Sequence, residues 1–342
     1  MPPAAIWSPA DVRSIAADRL KIFALVGSQD LGHAVARLIG QELARHEERD
    51  FEDGEHKARP LEPVAGADVY VIHSLHGGPD GSANDKLCRL LFFIGALKDA
   101  GAARVTAVTP YLCYARKDRR TKALDPVITR YVAGLFEAMG TDAVVALDVH
   151  NETAFENAFR LPTVALSAAP LLVRHLAAGL ATEPLCVVSP DLGGGKRADL
   201  FREVLEAVTG RAAGKAFAEK RRSGGIVSGD LFVGEVAGAT CIIVDDLVST
   251  GGTLARAAKA ARAGGARSVI ACVTHGLFMP GAETALADPA IDRVVSSDSV
   301  PPFRLPQGPV RDKLDVVPVA PLIAEAIARL HTGQALADLF VY

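Results

Sequence analysis

The sequence predicts an α/β fold made of two tandem versions of one unit, each a mainly parallel sheet flanked by helices. Three observations predict it. Short continuous apolar runs alternate with amphipathic stretches, the pattern of strands covered by helices on both faces. Three joints recur in the same order in the two halves of the chain. The length, 342 residues, suits about two domains at roughly 150 residues each.

Taken in order, the first strand is expected at 22–26, followed by a helix within 31–46 whose Leu31, Val35, Leu38, Ile39 and Leu43 share one face. Further strands are expected at 69–72, 105–108 and 144–147, then at 185–188, 241–244, 269–273 and 292–295. The recurring joints frame these strands. Gly66-Ala67-Asp68 matches Gly238-Ala239-Thr240, Gly101-Ala102-Ala103-Arg104-Val105 matches Gly264-Gly265-Ala266-Arg267-Ser268-Val269, and Asp142-Ala143-Val144-Val145 matches Asp292-Arg293-Val294-Val295. Duplication accounts for three matches in one order. The halves differ after the strands at 69 and 241: the second reads Asp245-Asp246-Leu247-Val248-Ser249-Thr250-Gly251-Gly252-Thr253, the first His73-Ser74-Leu75-His76-Gly77-Gly78. One copy carries chemistry that the other lacks.

Composition narrows the function classes. With 37 basic and 40 acidic residues and a net charge of −3, a general basic surface for nucleic acid is excluded. Cys88, Cys113, Cys186, Cys241 and Cys272 are far apart, sit in apolar stretches and lack metal-ligand spacing, which reads as buried reduced thiols. The apolar run at 90–97 is far shorter than the roughly 20 residues of a membrane helix, and residues 1–11 lack the pattern of a signal peptide. The expected location is the cytoplasm.

The segment 241–261 reads as a buried strand, two acids, a Ser/Thr/Gly loop and a helix starting near Leu254. Ligands of parallel sheets sit beyond the carboxyl ends of the strands, and a Gly-rich turn into a helix offers backbone N–H groups to phosphate. Ser249, Thr250 and Thr253 add hydroxyls, Gly251 and Gly252 admit close approach, and Asp245 with Asp246 can accept hydrogen bonds from a vicinal diol. Phosphate on one side and diol acceptors on the other describe a ribose 5-phosphate. The plainer alternative, a turn with Thr253 as helix N-cap, explains Thr and Gly but not the paired acids.

This segment resembles the phosphoribosyl-binding loop of the type I phosphoribosyltransferase fold, which by itself leaves two activities open: phosphoribosyl transfer, and synthesis of the activated donor phosphoribosyl diphosphate (PRPP). Further stretches resemble the ribose-phosphate diphosphokinase (PRPP synthetase) family, in its order from about residue 21 onward. Phe51-Glu52-Asp53-Gly54-Glu55, a plain turn on its residues alone, resembles the family's nucleotide-binding stretch, which implies ATP contacts for Phe51, Asp53 and Glu55. The stretch from Pro110 to Arg119 resembles the family's long signature. Five of the seven residues 116–122 are basic, alone either a solvated loop or a polyphosphate site, and the resemblance implies ATP contacts for Arg116 and Lys117. It also implies that His150, in Asp148-Val149-His150, and Asp191, in the Gly-rich turn 189–195, help to hold Mg²⁺. Lys220 and Arg222, before a Gly/Ser-rich stretch that reads as a mobile loop, match the family's catalytic pair. That pair favours diphosphokinase over transferase.

The implied layout is an ATP-side phosphoribosyltransferase-like domain at 21–167, completed by a helix at 318–332, a ribose 5-phosphate-side domain at 168–313, and an extension at 1–20 with no counterpart. The implied reaction is ATP + ribose 5-phosphate → AMP + PRPP with Mg²⁺, in a homo-oligomer. Two other readings stay open: a PRPP-consuming phosphoribosyltransferase, and a non-catalytic regulatory subunit. The chain departs from the family at Ser249, usually Asp, at 151–156, where a Gln-rich stretch is replaced, and at 120–126, which lacks the Ser and Arg of the regulatory loop. Weak or absent phosphate activation and ADP allostery are therefore expected.

Overall fold

A computed structural model describes residues 7–9, 19–223 and 226–340, with only the backbone considered within 219–231. These residues divide into two compact units, one drawn from Pro9–Ser167 and Ala320–Phe340, the other from Met1–Ser8 and Ala168–Val319.

In the first unit β1 (Leu20–Ala24) leads to α1 (Gln29–Leu38), a hairpin of β2 (His46–Asp50) and β3 (His56–Pro60), then β4 (Asp68–Ile72), α2 (Ala83–Asp99), β5 (Arg104–Thr109), α3 (Ile128–Ala138), β6 (Ala143–Leu147), α4 (Glu152–Ala158) and β7 (Thr163–Leu166). The sheet is parallel throughout, in the order β1-β4-β5-β6-β7. Phe23, Val69, Val71, Val105, Leu90, Phe93 and Ile94 are buried between its strands and α2. A capping box starts α2: the Asp85 N–H donates to Ser82 Oγ at 3.2 Å, and the Ser82 N–H donates to Asp85 Oδ2 at 2.7 Å.

The second unit runs α5 (Ala169–Ala177), β8 (Leu185–Ser189), α6 (Gly195–Thr209), β9 (Ala213–Ser223), β10 (Ile226–Val233), β11 (Thr240–Val248), α7 (Gly252–Ala263), β12 (Ser268–Gly276), α8 (Ala282–Leu286), β13 (Arg293–Ser297), α9 (Pro309–Asp312) and β14 (Leu314–Val317). Its strand order is β10-β9-β8-β11-β12-β13-β14, parallel except for the β9–β10 ribbon. Trp7 is buried in this unit, its carbonyl accepting from Arg174 at 3.1 Å. The last helix, α10 (Ala320–Thr332), belongs to the first unit and packs on α1. There His331 Nδ1 lies 2.7 Å from Asp68, which Arg104 also grips with two N–H groups.

The two units repeat one plan. β1-β4-β5-β6-β7 corresponds to β8-β11-β12-β13-β14, with a two-stranded excursion inserted at the same place in each. The sequence joints repeat down to single bonds. The Gly66 N–H donates to the Gly101 carbonyl and the Gly238 N–H to that of Gly265, both at 2.9 Å. Asp142 Oδ2 accepts from the Val105 N–H at 2.7 Å, and Asp292 Oδ2 from the Val269 N–H at the same distance. A cation holds each of these acids, Lys98 in one unit and Arg262 in the other. A carboxylate that satisfies a backbone donor where two strands begin fixes their stagger, which explains why the Asp recurs.

Several elements differ from expectation. β1 spans Leu20–Ala24 and not 22–26, leaving Val26 exposed, with its N–H donating to Glu48. The amphipathic stretch is helical only to Leu38, because Gly40 at φ +72° turns the chain and His46 already begins β2. The β2 and β3 sequences, His-Glu-Glu-Arg-Asp and His-Lys-Ala-Arg-Pro, are too polar to show a period-2 apolar signal. Of the stretch 223–229 expected to be a mobile loop, Ser223 and residues 226–229 belong to the β9–β10 ribbon, with Asp230 opposite Lys220 and Val227 opposite Arg222, and residues 224–225 lie outside the described residues. Cys88 is exposed, while Cys113, Cys186, Cys241 and Cys272 are buried free thiols. Among the described residues no helix is long and apolar enough to cross a membrane.

Candidate active site

In the second unit β11 delivers the paired acids at its carboxyl end. Asp246 is buried and Asp245 half-buried, and the Asp246 N–H donates to Asp245 Oδ1 at 2.9 Å. Arg197 Nη1 reaches both, 3.1 Å from Asp245 Oδ1 and 3.4 Å from Asp246 Oδ1. Burial first, then the hydrogen bond and charge of Asp246, push the Asp245 carboxyl up to about 7, against the pull of Arg197.

The loop after these acids enters α7 through Gly251 at φ +76°, and no side chain caps the helix. Thr253 is therefore inside the first turn, not at the N-cap that the plainer reading gives it. A helix start without a side-chain cap leaves N–H groups for an anionic ligand. Gly252 is exposed and a β-carbon there would meet open space, whereas one on Gly251 would press on Ala285 and Leu286 of α8 at 3.2 Å. Thr250 is exposed, and Ser249 and Thr253 are partly exposed. The segment after β12 braces the loop from behind: the Leu277 N–H donates to the Val248 carbonyl at 3.0 Å and the Met279 N–H to that of Ser249 at 2.9 Å.

Asp191 lies in the turn between β8 and α6. Its Oδ1 accepts from the Gly194 N–H at 2.9 Å, and its carbonyl accepts from Ser189 Oγ at 2.6 Å. A β-carbon on Gly194 would come within 2.8 Å of Ser189 Oγ, so a side chain there would push that hydroxyl from its place at the Asp191 carbonyl. Lys220 and Arg222 lie on β9 by their backbone, and their side chains lie outside the described residues.

In the first unit Phe51, Asp53 and Glu55 occupy the tip between β2 and β3, all exposed. The Phe51 N–H donates to the Glu55 carbonyl at 2.8 Å and the Glu55 N–H to Asp53 Oδ1 at 3.1 Å. The Arg49 guanidinium lies 5.1 Å from the Phe51 ring centroid. Arg89 of α2 bonds Asp50, and Phe92 stacks on His56, which moors the hairpin to that helix.

Arg116 is exposed, while Lys117 Nζ is held 2.6 Å from Asp125, a carboxylate kept well below its ordinary value by that hydrogen bond. Asp118 accepts from Asn151 Nδ2 at 2.6 Å. This bond brings the Arg116–Lys117 segment together with His150, the exposed residue just before Asn151 at the start of α4. At the position matching Asp245, the first unit has His73, fully buried and kept neutral because burial, with Lys86 nearby, lowers its pKa far below the ordinary value. It carries no carboxylate pair.

Sequence reasoning missed Arg197 and Asn151. Arg197 had a signal: a cation in the first turn of a helix opposes the helix dipole and therefore has another task. Asn151 had none, since its partner Asp118 is distant in sequence.

The strand-end acids, the uncapped Gly-rich helix start and the duplicated plan define a duplicated α/β protein whose second unit offers carboxylates and free helix N–H groups side by side. Comparison narrows this class. Residues 20–140 match the model for the N-terminal domain of ribose phosphate pyrophosphokinase, and 230–341 match that for the phosphoribosyl synthetase-associated domain. The chain is 38% identical over 322 residues to a ribose-phosphate pyrophosphokinase of Caldanaerobacter subterraneus subsp. tengcongensis, covering 94% of this chain and 98% of that one. It is 35% identical over 323 residues to one of Listeria ivanovii, covering 94% and 97%. A phosphoribosylpyrophosphate synthetase from Mycobacterium smegmatis superposes with a TM-score of 0.81 at 33% identity, over 92% of this chain and 100% of the other. The chain belongs to the ribose-phosphate pyrophosphokinase family.

Proposed function

We propose that this protein transfers the diphosphoryl group of ATP to the C1 hydroxyl of ribose 5-phosphate, giving PRPP and AMP. The observation that carries this reading is the asymmetry of the duplicated units. The second keeps an acid pair and an uncapped helix start, the donors and acceptors a ribose phosphate needs, whereas the first has a buried neutral His73 at the matching place.

The sugar phosphate is assigned to Asp245, Asp246, Ser249, Thr250, Gly251, Gly252 and Thr253, with N–H and hydroxyl groups on the phosphate and carboxylates on the ring hydroxyls. ATP is assigned to Phe51, Asp53 and Glu55 on the exposed hairpin tip and to Arg116 and Lys117. Lys117 would exchange Asp125 for phosphate. The C1 hydroxyl oxygen attacks the β-phosphorus and gives up its proton to solvent, the bond from that phosphorus to the bridging oxygen on the α-phosphate breaks, and AMP departs with that oxygen. Lys220 and Arg222 offset the charge that develops on the transferring group, so the rate comes from positioning and charge stabilisation.

His150 in the first unit and Asp191 in the second are each a proposed protein contact of a Mg²⁺, which when bound neutralises phosphate charge. Both are exposed. Among the described residues no group of three or more His, Cys, Asp or Glu could hold a metal. Each by itself fits Mg²⁺, which takes one or two protein groups and completes its shell with phosphate oxygens and water.

The test is direct detection of AMP and PRPP from ATP and ribose 5-phosphate with the purified chain and Mg²⁺. Ribose-dependent formation of both in equal amounts is expected. Base-dependent diphosphate release from PRPP, without AMP formation, would establish a transferase instead, and no turnover would favour a regulatory subunit.

A further inference from the structure

Arg197 belongs to no part of the assignment above, yet its guanidinium is in contact with both acids. Its place is fixed from below. The Asp191 turn, tied by Ser189 and closed on the Gly194 N–H, sets where α6 begins, and Arg197 stands in the first turn of that helix. A cation there gains nothing from the helix dipole, and an ion pair this enclosed is a weak source of fold stability, because desolvation offsets its attraction. The contact does have a local effect. Two carboxylates on successive residues, one of them buried, repel each other and lose hydration, and a bridging Nη1 counters both effects.

We propose that Arg197 is a positioning residue for the sugar, holding the Asp245 and Asp246 carboxylates in place as acceptors for the ribose hydroxyls. The inference rests on the assignment of the diol to those acids. Without the guanidinium the pair would separate or take up a proton, and a protonated carboxyl offers the diol a competing donor. Because Arg197 stands in the helix turn that the Asp191 turn leads into, it also ties the geometry of that turn to the sugar site.

The experiment measures ribose 5-phosphate binding by titration calorimetry, and KM and kcat for both substrates, in the full chain carrying Arg197→Met, Arg197→Lys or Asp245→Asn. Loss of a charge-assisted contact predicts at least about tenfold weaker ribose 5-phosphate binding in Arg197→Met, with KM for ATP within about twofold. Arg197→Lys is expected to recover most of the loss, since it keeps the charge but not the fork. Ribose 5-phosphate affinity unchanged in Arg197→Met while Asp245→Asn weakens it would overturn the role of Arg197 alone. Unchanged affinity in Asp245→Asn as well would overturn the diol assignment beneath it. Should Arg197→Met not fold, Arg197→Gln decides: a loss confined to ribose 5-phosphate supports the proposal, and an unchanged affinity or an equal loss for ATP refutes it.

Discussion

Lowering the pH from 8 to 6 is expected to weaken ribose 5-phosphate binding through Asp245. Its carboxyl is pushed up to about 7, first by burial and then by Asp246. About nine tenths of it is then ionised at pH 8 and about one tenth at pH 6, a difference of about tenfold in the fraction able to accept from the diol, or about 1.4 kcal/mol. The ligand's own phosphate also protonates near pH 6, so the assay is calorimetric titration with ribose 5-phosphate beside 2,3-dideoxyribose 5-phosphate, which lacks the diol. The ratio of the two affinities isolates the acid pair. Asp246→Asn removes both a hydrogen bond and a charge that raise the Asp245 value, so the midpoint of that ratio should move to lower pH. Stability supplies a second check on the same group. A folded value above the ordinary 3.8 contributes stability that is complete below pH 4 and is lost as pH rises through 7, by at most about 4 kcal/mol. Asp245→Asn should therefore gain in Tm over the parent at pH 8 and not at pH 4. A flat affinity ratio between pH 6 and 8 would refute the reasoning.

Lys220→Ala or Arg222→Ala should lower kcat for AMP formation by about 10²–10³-fold, with substrate affinities by calorimetry little changed, as for the loss of one donor to a developing charge. Phe51→Ala should raise KM for ATP by about 5–150-fold, the span of a lost base-stacking contact of about 1–3 kcal/mol. Because that ring is exposed, denaturant midpoints should stay with the parent. At saturating substrates, added inorganic phosphate or ADP at low concentration should change the rate by less than about twofold, since 120–126 and 151–156 depart from the regulated pattern. A strong phosphate requirement in initial-rate measurements would contradict this.

Much of the molecule was legible in the chain because it is carried by local patterns. Continuous apolar strands, the recurring Gly-Ala joints, the Asp at residues 142 and 292, and the run 245–253 each encode their own structure and chemistry within a few residues. From these the sequence by itself determined the α/β class and the duplication, and it supplied the sugar-phosphate reading of the loop that we propose. The polar hairpin strands β2 and β3 escaped, because their pairing rests on contacts with α2 through Arg89 and His56 and not on an apolar period. Only the tertiary structure decided that Gly251 and not Thr253 stands at the start of α7, that Asp125 holds Lys117, and that Asn151 ties the basic segment to His150. It alone set Arg197 across Asp245 and Asp246. The reason is physical: hydrogen bonds and ion pairs between residues far apart in sequence depend on where the sheet and helices bring them, and no local spacing records that.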